Sequence, residues 1–325
     1  MNTAEPLLKV EQLKKHFTSQ KKFLGGEPKT VKAVDGVTFD IMPGETLGVV
    51  GESGCGKSTL GRAILRLHEP DGGSLTYKGV DLLALDAREM REYRRKMQII
   101  FQDPYASLNP RMTVKELICA SLDVFHIGTK EERTDRVLDI MEKVGLQPEC
   151  LNRYPHEFSG GQRQRIMIAR ALVLNPEFVI GDEPVSALDV SVRAQVLNLM
   201  RDLQHELSLT YLFISHDLSV VRYLCDRVMV MYVGKAVEIA TKEELYGHAQ
   251  HPYTQALLSS IPIPDVDAPA QRIRLTGDVP SPFNPPSGCR FHTRCRYATQ
   301  RCRECEPELH DVGGGHMVAC HLCEG

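Results

Sequence analysis

Residues 46–67 read TLGVVGESGCGKSTLGRAILRL. The first five form a short apolar run of the kind that makes a buried strand. Beyond the loop, Leu60, Ile64 and Leu67 recur at helical spacing. Between them lies Gly51-Glu52-Ser53-Gly54-Cys55-Gly56-Lys57-Ser58, a glycine-rich loop in the strand-to-helix context that phosphate binding requires. Gly51, Gly54 and Gly56 let the backbone curl tightly, so that its N–H groups and the start of the following helix face negative charge. Lys57 is then placed to reach the β- and γ-phosphates of a nucleotide, and Ser58 to bind Mg²⁺ through its hydroxyl. Ser53, Cys55 and Thr59 complete the set of nucleotide contacts. A chance match to this pattern in a chain of this composition is on the order of one in a hundred.

Working outward, Val34 to Ile41 alternates in part as a strand, and Pro43-Gly44 makes a turn before the apolar run. Residues 103–176 read as mostly helical, with Val137, Ile140, Met141 and Val144 at helix spacing. Two apolar strands follow, Phe178 to Ile180 and Tyr211 to Ile214, with a helix from about Val190 to Leu207 between them. Strands alternating with helices predict an α/β core with a largely parallel sheet, and the helical block is expected to be an inserted subdomain. The first of these strands runs into Asp182 and Glu183. Asp182 is expected to hold Mg²⁺ and Glu183 to polarise the attacking water as general base. Adjacent strand residues point opposite ways, so both carboxylates serve one site only if the strand ends there.

Phe158-Ser159-Gly160-Gly161-Gln162 is a second distinctive stretch. Ser159 is a good helix N-cap for a helix running through Arg163, Ile166, Ala169 and Leu172. A helix start with a serine and two glycines is also an anion site.

The bulk numbers exclude some functions. The 325 residues carry a net charge of −3, with 42% hydrophobic and 25% charged residues. That is ordinary for a globular protein and gives no electrostatic reason to expect a nucleic-acid partner. The N-terminal stretch lacks a basic-then-apolar leader pattern, and no run of 18 apolar residues occurs. The expectation is a cytoplasmic protein, which other chains must hold in place if it works at a membrane.

The order of these motifs resembles that of ABC transporter ATPases, over roughly residues 8 to 250. The resemblance implies a RecA-like α/β core with an antiparallel β-subdomain and an inserted helical subdomain at about 103–176, within a nucleotide-binding domain spanning 1–255. It makes Gln102 the Q-loop glutamine, which senses Mg²⁺ and water and links to a transmembrane partner. Ser186-Ala187-Leu188-Asp189 becomes the D-loop and His216 the switch histidine near the γ-phosphate. Phe17 becomes the aromatic that stacks on adenine, with Phe23 as the lesser candidate. It also implies that Ser159, Gly160, Gly161 and Gln162 cover the γ-phosphate of an ATP held by an opposing chain, so that two chains trap two ATP molecules head to tail.

Pro104-Tyr105-Ala106-Ser107-Leu108-Asn109-Pro110-Arg111, His251 to Leu258, Gly277 to Pro282 and Asn284 to Cys289 are similar to dipeptide and oligopeptide importer ATPases. That branch implies a C-terminal extension over 256–325 and a different, related ATPase as heterodimer partner. It also implies two membrane permeases, an extracytoplasmic peptide-binding protein, and a place on the cytoplasmic face of the plasma membrane. Gly181 departs from the alanine usual before the paired acids, with no functional consequence expected. A sister importer for nickel, glutathione or another small solute is the nearest alternative. A soluble ABC protein of DNA repair or translation is a more distant one, because the chain shows neither a second cassette nor a long coiled coil.

Six of the ten cysteines fall between Cys289 and Cys323, spaced C-x5-C-x6-C-x2-C-x14-C-x2-C after a run of prolines that includes Pro280, Pro282, Pro285 and Pro286. In a cytoplasmic chain such clustering suggests metal more than disulfides. Two ligand sets compete. Cys289, Cys295, Cys302 and Cys320 resemble a set associated with a [4Fe–4S] cluster in related ATPases, and four thiolates meet that cluster's requirement. Cys302, Cys305, Cys320 and Cys323 have near zinc-ribbon spacing. Reduced, unliganded thiols in a packed tail are the third reading.

Overall fold

The computed structural model describes residues 5–18, 29–261 and 273–323. The chain divides into two compact units. One takes Met1–Ile41, Leu47–Leu83 and Ser215–Gly325; the other takes Met42–Thr46 and Ala84–Ile214.

In chain order, β1 (Leu8–Thr18) pairs antiparallel with β2 (Thr30–Ile41), setting Leu8 opposite Ile41 and Val10 opposite Phe39. β3 (Thr46–Val50) is buried at every position, as expected for a strand covered on both faces. The glycine-rich loop leads from it into α1 (Lys57–Ile64). This helix is shorter than the apolar spacing predicts. Arg66 takes a left-handed φ of 50° and Leu67 is 47% exposed, so Leu67 lies beyond the helix and off its buried face. β4 (Gly72–Tyr77) pairs with β1, and β5 (Val80–Asp81) with β4.

Helix α2 (Ala87–Lys96) leads into β6 (Met97–Ile100). Three helices follow the short α3 (Pro104–Ser107): α4 (Val114–Val124), α5 (Lys130–Lys143) and α6 (Gly160–Leu172). Threonines 113 and 129 cap α4 and α5 in capping boxes with Glu116 and Glu132, which fixes where each begins. Then come β7 (Phe178–Asp182), α7 (Val190–Leu207) and β8 (Thr210–Ile214). Within this second unit β6, β7 and β8 run parallel, with Ile100 opposite Gly181 and Asp182 opposite Ile214.

The chain continues through α8 (Leu218–Leu224), β9 (Arg227–Tyr232), β10 (Lys235–Thr241), α9 (Lys242–His248) and α10 (Pro252–Leu258). The tail adds α11 (Gln300–Glu304), β11 (His310–Asp311) and β12 (Met317–Val318). In the first unit β9 runs parallel to β3 and antiparallel to β10. Gly48 of β3 sits so close to α8 that a Cβ there would stand 2.7 Å from Val221 and 2.8 Å from the Cys225 sulfur.

The tail is built onto this sheet. β12 pairs with β10, placing Val318 opposite Glu238, and β11 pairs with β12. Phe291 and Val318 are buried. The proline-rich stretch falls partly, and Phe23 wholly, outside the described residues. Among the described residues no helix is long and apolar enough to cross a membrane.

Candidate functional site

In the first unit the glycine-rich loop is wedged between two backbones. A Cβ on Gly51 would stand 2.2 Å from the Met231 carbonyl oxygen, and one on Gly56 2.0 Å from that of Ala33. Gly51, Gly54 and Gly56 all have φ in the range that favours glycine. Lys57 is buried, and its ammonium donates to the Gly51 carbonyl at 2.7 Å and the Glu52 carbonyl at 3.0 Å. Ser58 and Thr59 open α1 at its N-terminal end, while Ser53 and Gly54 are exposed at the tip of the loop. Cys55 is buried; burial raises its thiol pKa despite Lys57 nearby. His216, also of this unit, is exposed between two anchored residues. The Ser215 N–H donates to Val49 at 3.1 Å, and Asp217 caps α8 through the Ser219 N–H at 2.9 Å.

The second unit gathers the acids. Asp182 is buried and is the last residue of β7. Glu183 then takes φ 49°, a left-handed turn out of the strand. The strand therefore ends between the two carboxylates, the condition that lets adjacent acids serve one site. Gln102, just past β6, donates from Nε2 to Glu183 Oε2 at 3.1 Å. The register of β6 against β7 explains the meeting, because Ile100 lies opposite Gly181 and both chains leave the sheet at the same end.

Ser159 caps α6, and the cap is a full box. The Gln162 N–H donates to Ser159 Oγ at 3.4 Å, and the Ser159 N–H to Gln162 Oε1 at 3.0 Å. Sequence reasoning found the serine and missed the glutamine's part, although the S-x-x-Q spacing is its signal. Gly161 has a packing role as well: a Cβ there would stand 2.3 Å from Val192 Cγ1 of α7. Gly160 lies over Leu188, its ideal Cβ 3.6 Å from Cδ2. Asp189 caps α7 by accepting from the Val192 N–H at 2.9 Å, and that bond, then the one from Ser191, holds its carboxyl below the usual range. The SGGQ helix start is thus packed on Leu188 and Val192 within one unit. Ser159, Gln162 and Asp189 are exposed.

Phe17 lies at the end of β1, 37% exposed, with its ring edge-on to His68 at 5.2 Å and the Lys15 ammonium 5.4 Å from its centroid.

In the tail, Cys289, Cys295, Cys302 and Cys320 line one small cavity together with Phe291 and His292. Cys305 is exposed, and neither it nor Cys323 lines the cavity. Burial pushes the Cys289 thiol up to about 11 and that of Cys320 up to about 12. Convergence falls short of ligation, however. Among the described residues no three His, Cys, Asp or Glu side chains stand in an arrangement that holds a metal ion. Cys289, Cys295, Cys302 and Cys320 share this cavity, whereas the double C-x2-C set does not share one lining.

A buried lysine in a phosphate loop, a strand ending in two carboxylates and a capped SGGQ helix define a P-loop ATPase of the cassette type. Comparison with known proteins narrows this. The family described as ABC transporter matches residues 34–186, and the oligopeptide/dipeptide transporter C-terminal region matches 237–302. The chain is 57% identical to the putative oligopeptide transport ATP-binding protein YkfD of Bacillus subtilis, covering 98% of this chain and 95% of that one. It is 54% identical to the dipeptide transport ATP-binding protein DppF of Escherichia coli, covering 97% and 94%. Among solved structures it is similar to the ATP-binding cassette MJ0796 in a dimeric post-hydrolysis state bound to ADP and Pi. That likeness has a TM-score of 0.64 and 28% identity over 72% of this chain and 98% of that one. The protein cbiO1 of Clostridium perfringens, part of the ABC transporter complex cbiONQ, gives the same TM-score at 26% identity, over 75% and 91%. The chain belongs to the ABC transporter ATP-binding family, in its oligopeptide/dipeptide branch.

Proposed function

We propose that this chain is the ATP-hydrolysing subunit of an ABC importer for dipeptides or oligopeptides. The observation that carries the reading is the match at 237–302 to the peptide-transporter C-terminal region, joined to 54% identity with a dipeptide transport subunit over nearly the whole chain. In this reading residues 1–255 form the nucleotide-binding domain and 256–325 the importer-type extension.

Lys57 takes the β- and γ-phosphates with the backbone of residues 51–59. Ser58, Asp182 and Gln102 hold Mg²⁺, Glu183 acts as general base, and His216 senses the γ-phosphate. Phe17 stacks on adenine. Ser159 to Gln162 and Asp189 face the nucleotide of a second chain, which is a related but different ATPase. The pair sits under two permeases at the cytoplasmic face of the plasma membrane, and an extracytoplasmic protein delivers peptide. Co-purification of the tagged chain from native membranes tests this. Recovery of two permeases with peptide-stimulated ATP hydrolysis is the expected result. A permease-free complex overturns it, and stimulation by nickel or glutathione alone assigns a sister importer.

The cysteine set supports a second element of the reading. Four thiols lining one cavity match the donor count of a [4Fe–4S] cluster; drawn closer than they stand here, they would hold it, and the cluster would cross-link the tail. Anaerobically purified protein is expected to be brown, with about four irons per chain; a colourless protein loaded with zinc would overturn this assignment.

A further inference from the structure

Glu52 is an acid inside a loop built to hold anions. Its two oxygens are both engaged by Arg294 of the tail, Nη1 to Oε2 at 2.7 Å and Nη2 to Oε1 at 3.2 Å. The Arg294 side chain is 8% exposed and that of Glu52 26%, so this is a two-pronged, largely desolvated pair. Arg294 also reaches the Tyr232 hydroxyl at 3.4 Å, and the Glu52 N–H donates to the Tyr253 hydroxyl at 3.0 Å. Phe291 braces both tyrosines, its ring centroid 5.3 Å from that of Tyr232 and 5.4 Å from that of Tyr253. The Arg294 N–H donates to the Phe291 carbonyl at 3.0 Å, so the guanidinium is carried on a turn that this ring anchors. A second tie lies alongside. Arg290 donates to Asp35 and to the Val233 carbonyl, and the neighbouring Gly234 N–H donates to the Cys55 carbonyl at 2.8 Å.

We propose that Arg294 is a positioning residue of the ATP site: it neutralises and orients Glu52, so that the tail sets the phosphate affinity of the loop. The proposal rests on the reading of residues 51–59 as the ATP phosphate site and goes beyond it. A free carboxylate at Glu52 repels the phosphates that the surrounding N–H groups attract. Pairing it with a guanidinium cancels that charge and fixes the Glu52 backbone, whose carbonyl meets Lys57.

The test uses the full-length chain with a fluorescent Mg·ATP analogue, and the assembled transporter for kinetics. Arg294→Met is expected to weaken analogue binding roughly tenfold, the scale of one uncompensated charge near the ligand. KM for ATP should rise with little change in kcat. Removing the charge in the double variant Glu52→Gln/Arg294→Met should return affinity to within about threefold of the parent. That rescue is not expected of an arginine that merely holds the tail in place. A parent-like affinity in Arg294→Met, or a double variant as weak as the single, overturns the proposal. If Arg294→Met does not fold, Glu52→Gln alone decides: binding at least as tight as the parent supports the proposal, and weaker binding overturns it. Failure of the parent itself to bind ATP would instead overturn the ATPase reading.

Discussion

Gln102 and Glu183 meet side chain to side chain, with the amide nitrogen 3.1 Å from the carboxylate. The contact follows from two strand ends brought level by the β6–β7 register and from the left-handed turn at Glu183. It ties Glu183, the residue proposed to activate water, to the segment that enters the helices.

Glu183→Gln keeps the size and the contact with Gln102 while removing the carboxylate proposed as the base. ATP binding should persist, and hydrolysis should fall by at least ~100-fold, the usual scale for a general base. Single-turnover hydrolysis beside equilibrium binding separates the two. Wild-type turnover would show that another group activates the water.

Gly161 carries a packing demand besides its place in the anion-binding motif. A methyl group there meets Val192 Cγ1 at 2.3 Å, which forces α6 and α7 apart or turns the valine. Gly161→Ala is expected to cost about 1–3 kcal/mol, typical of an overpacked contact. Adding Val192→Ala should return most of that, as read by denaturant unfolding. Stability without activity in the double variant would assign the remaining loss to the ATP interface and not to packing.

The phosphate loop, the ends of β3 and α7, and the cap at Ser159 were legible in the sequence because each is set by local chemistry: an apolar run, helical periodicity, a capping side chain. The overshoot of α1 to Leu67 came from reading apolar spacing without the backbone reversal at Arg66. The role of Glu52 was not legible, because its partner lies 242 residues away and no motif marks Arg294. The choice of cysteines was undecided for a like reason. Spacing admits two four-cysteine sets; the fold places Cys305 on the surface and Cys289 and Cys295 at the cavity, and among the described residues it forms no metal site.

Asp35 gives the tail's second anchor a pH dependence. Burial raises its pKa, but the His16 hydrogen bond, then the charges of Arg290 and Lys235, outweigh this and leave it below the usual value. A carboxyl depressed in the folded state contributes stability that is present above its unfolded pKa of about 4 and is lost as pH falls through the folded value. The stability of the parent should therefore drop as pH is lowered below about 4. Asp35→Asn should lack this share of the acid slope. At neutral pH it should be less stable by about 3–5 kcal/mol, because Arg290 is left buried without its counter-charge. Urea midpoints measured between pH 7 and 2.5 check both arms. Parallel curves for the two proteins would mean that Asp35 takes up its proton equally in the folded and unfolded chains, and that the acid sensitivity of the tail lies in other groups.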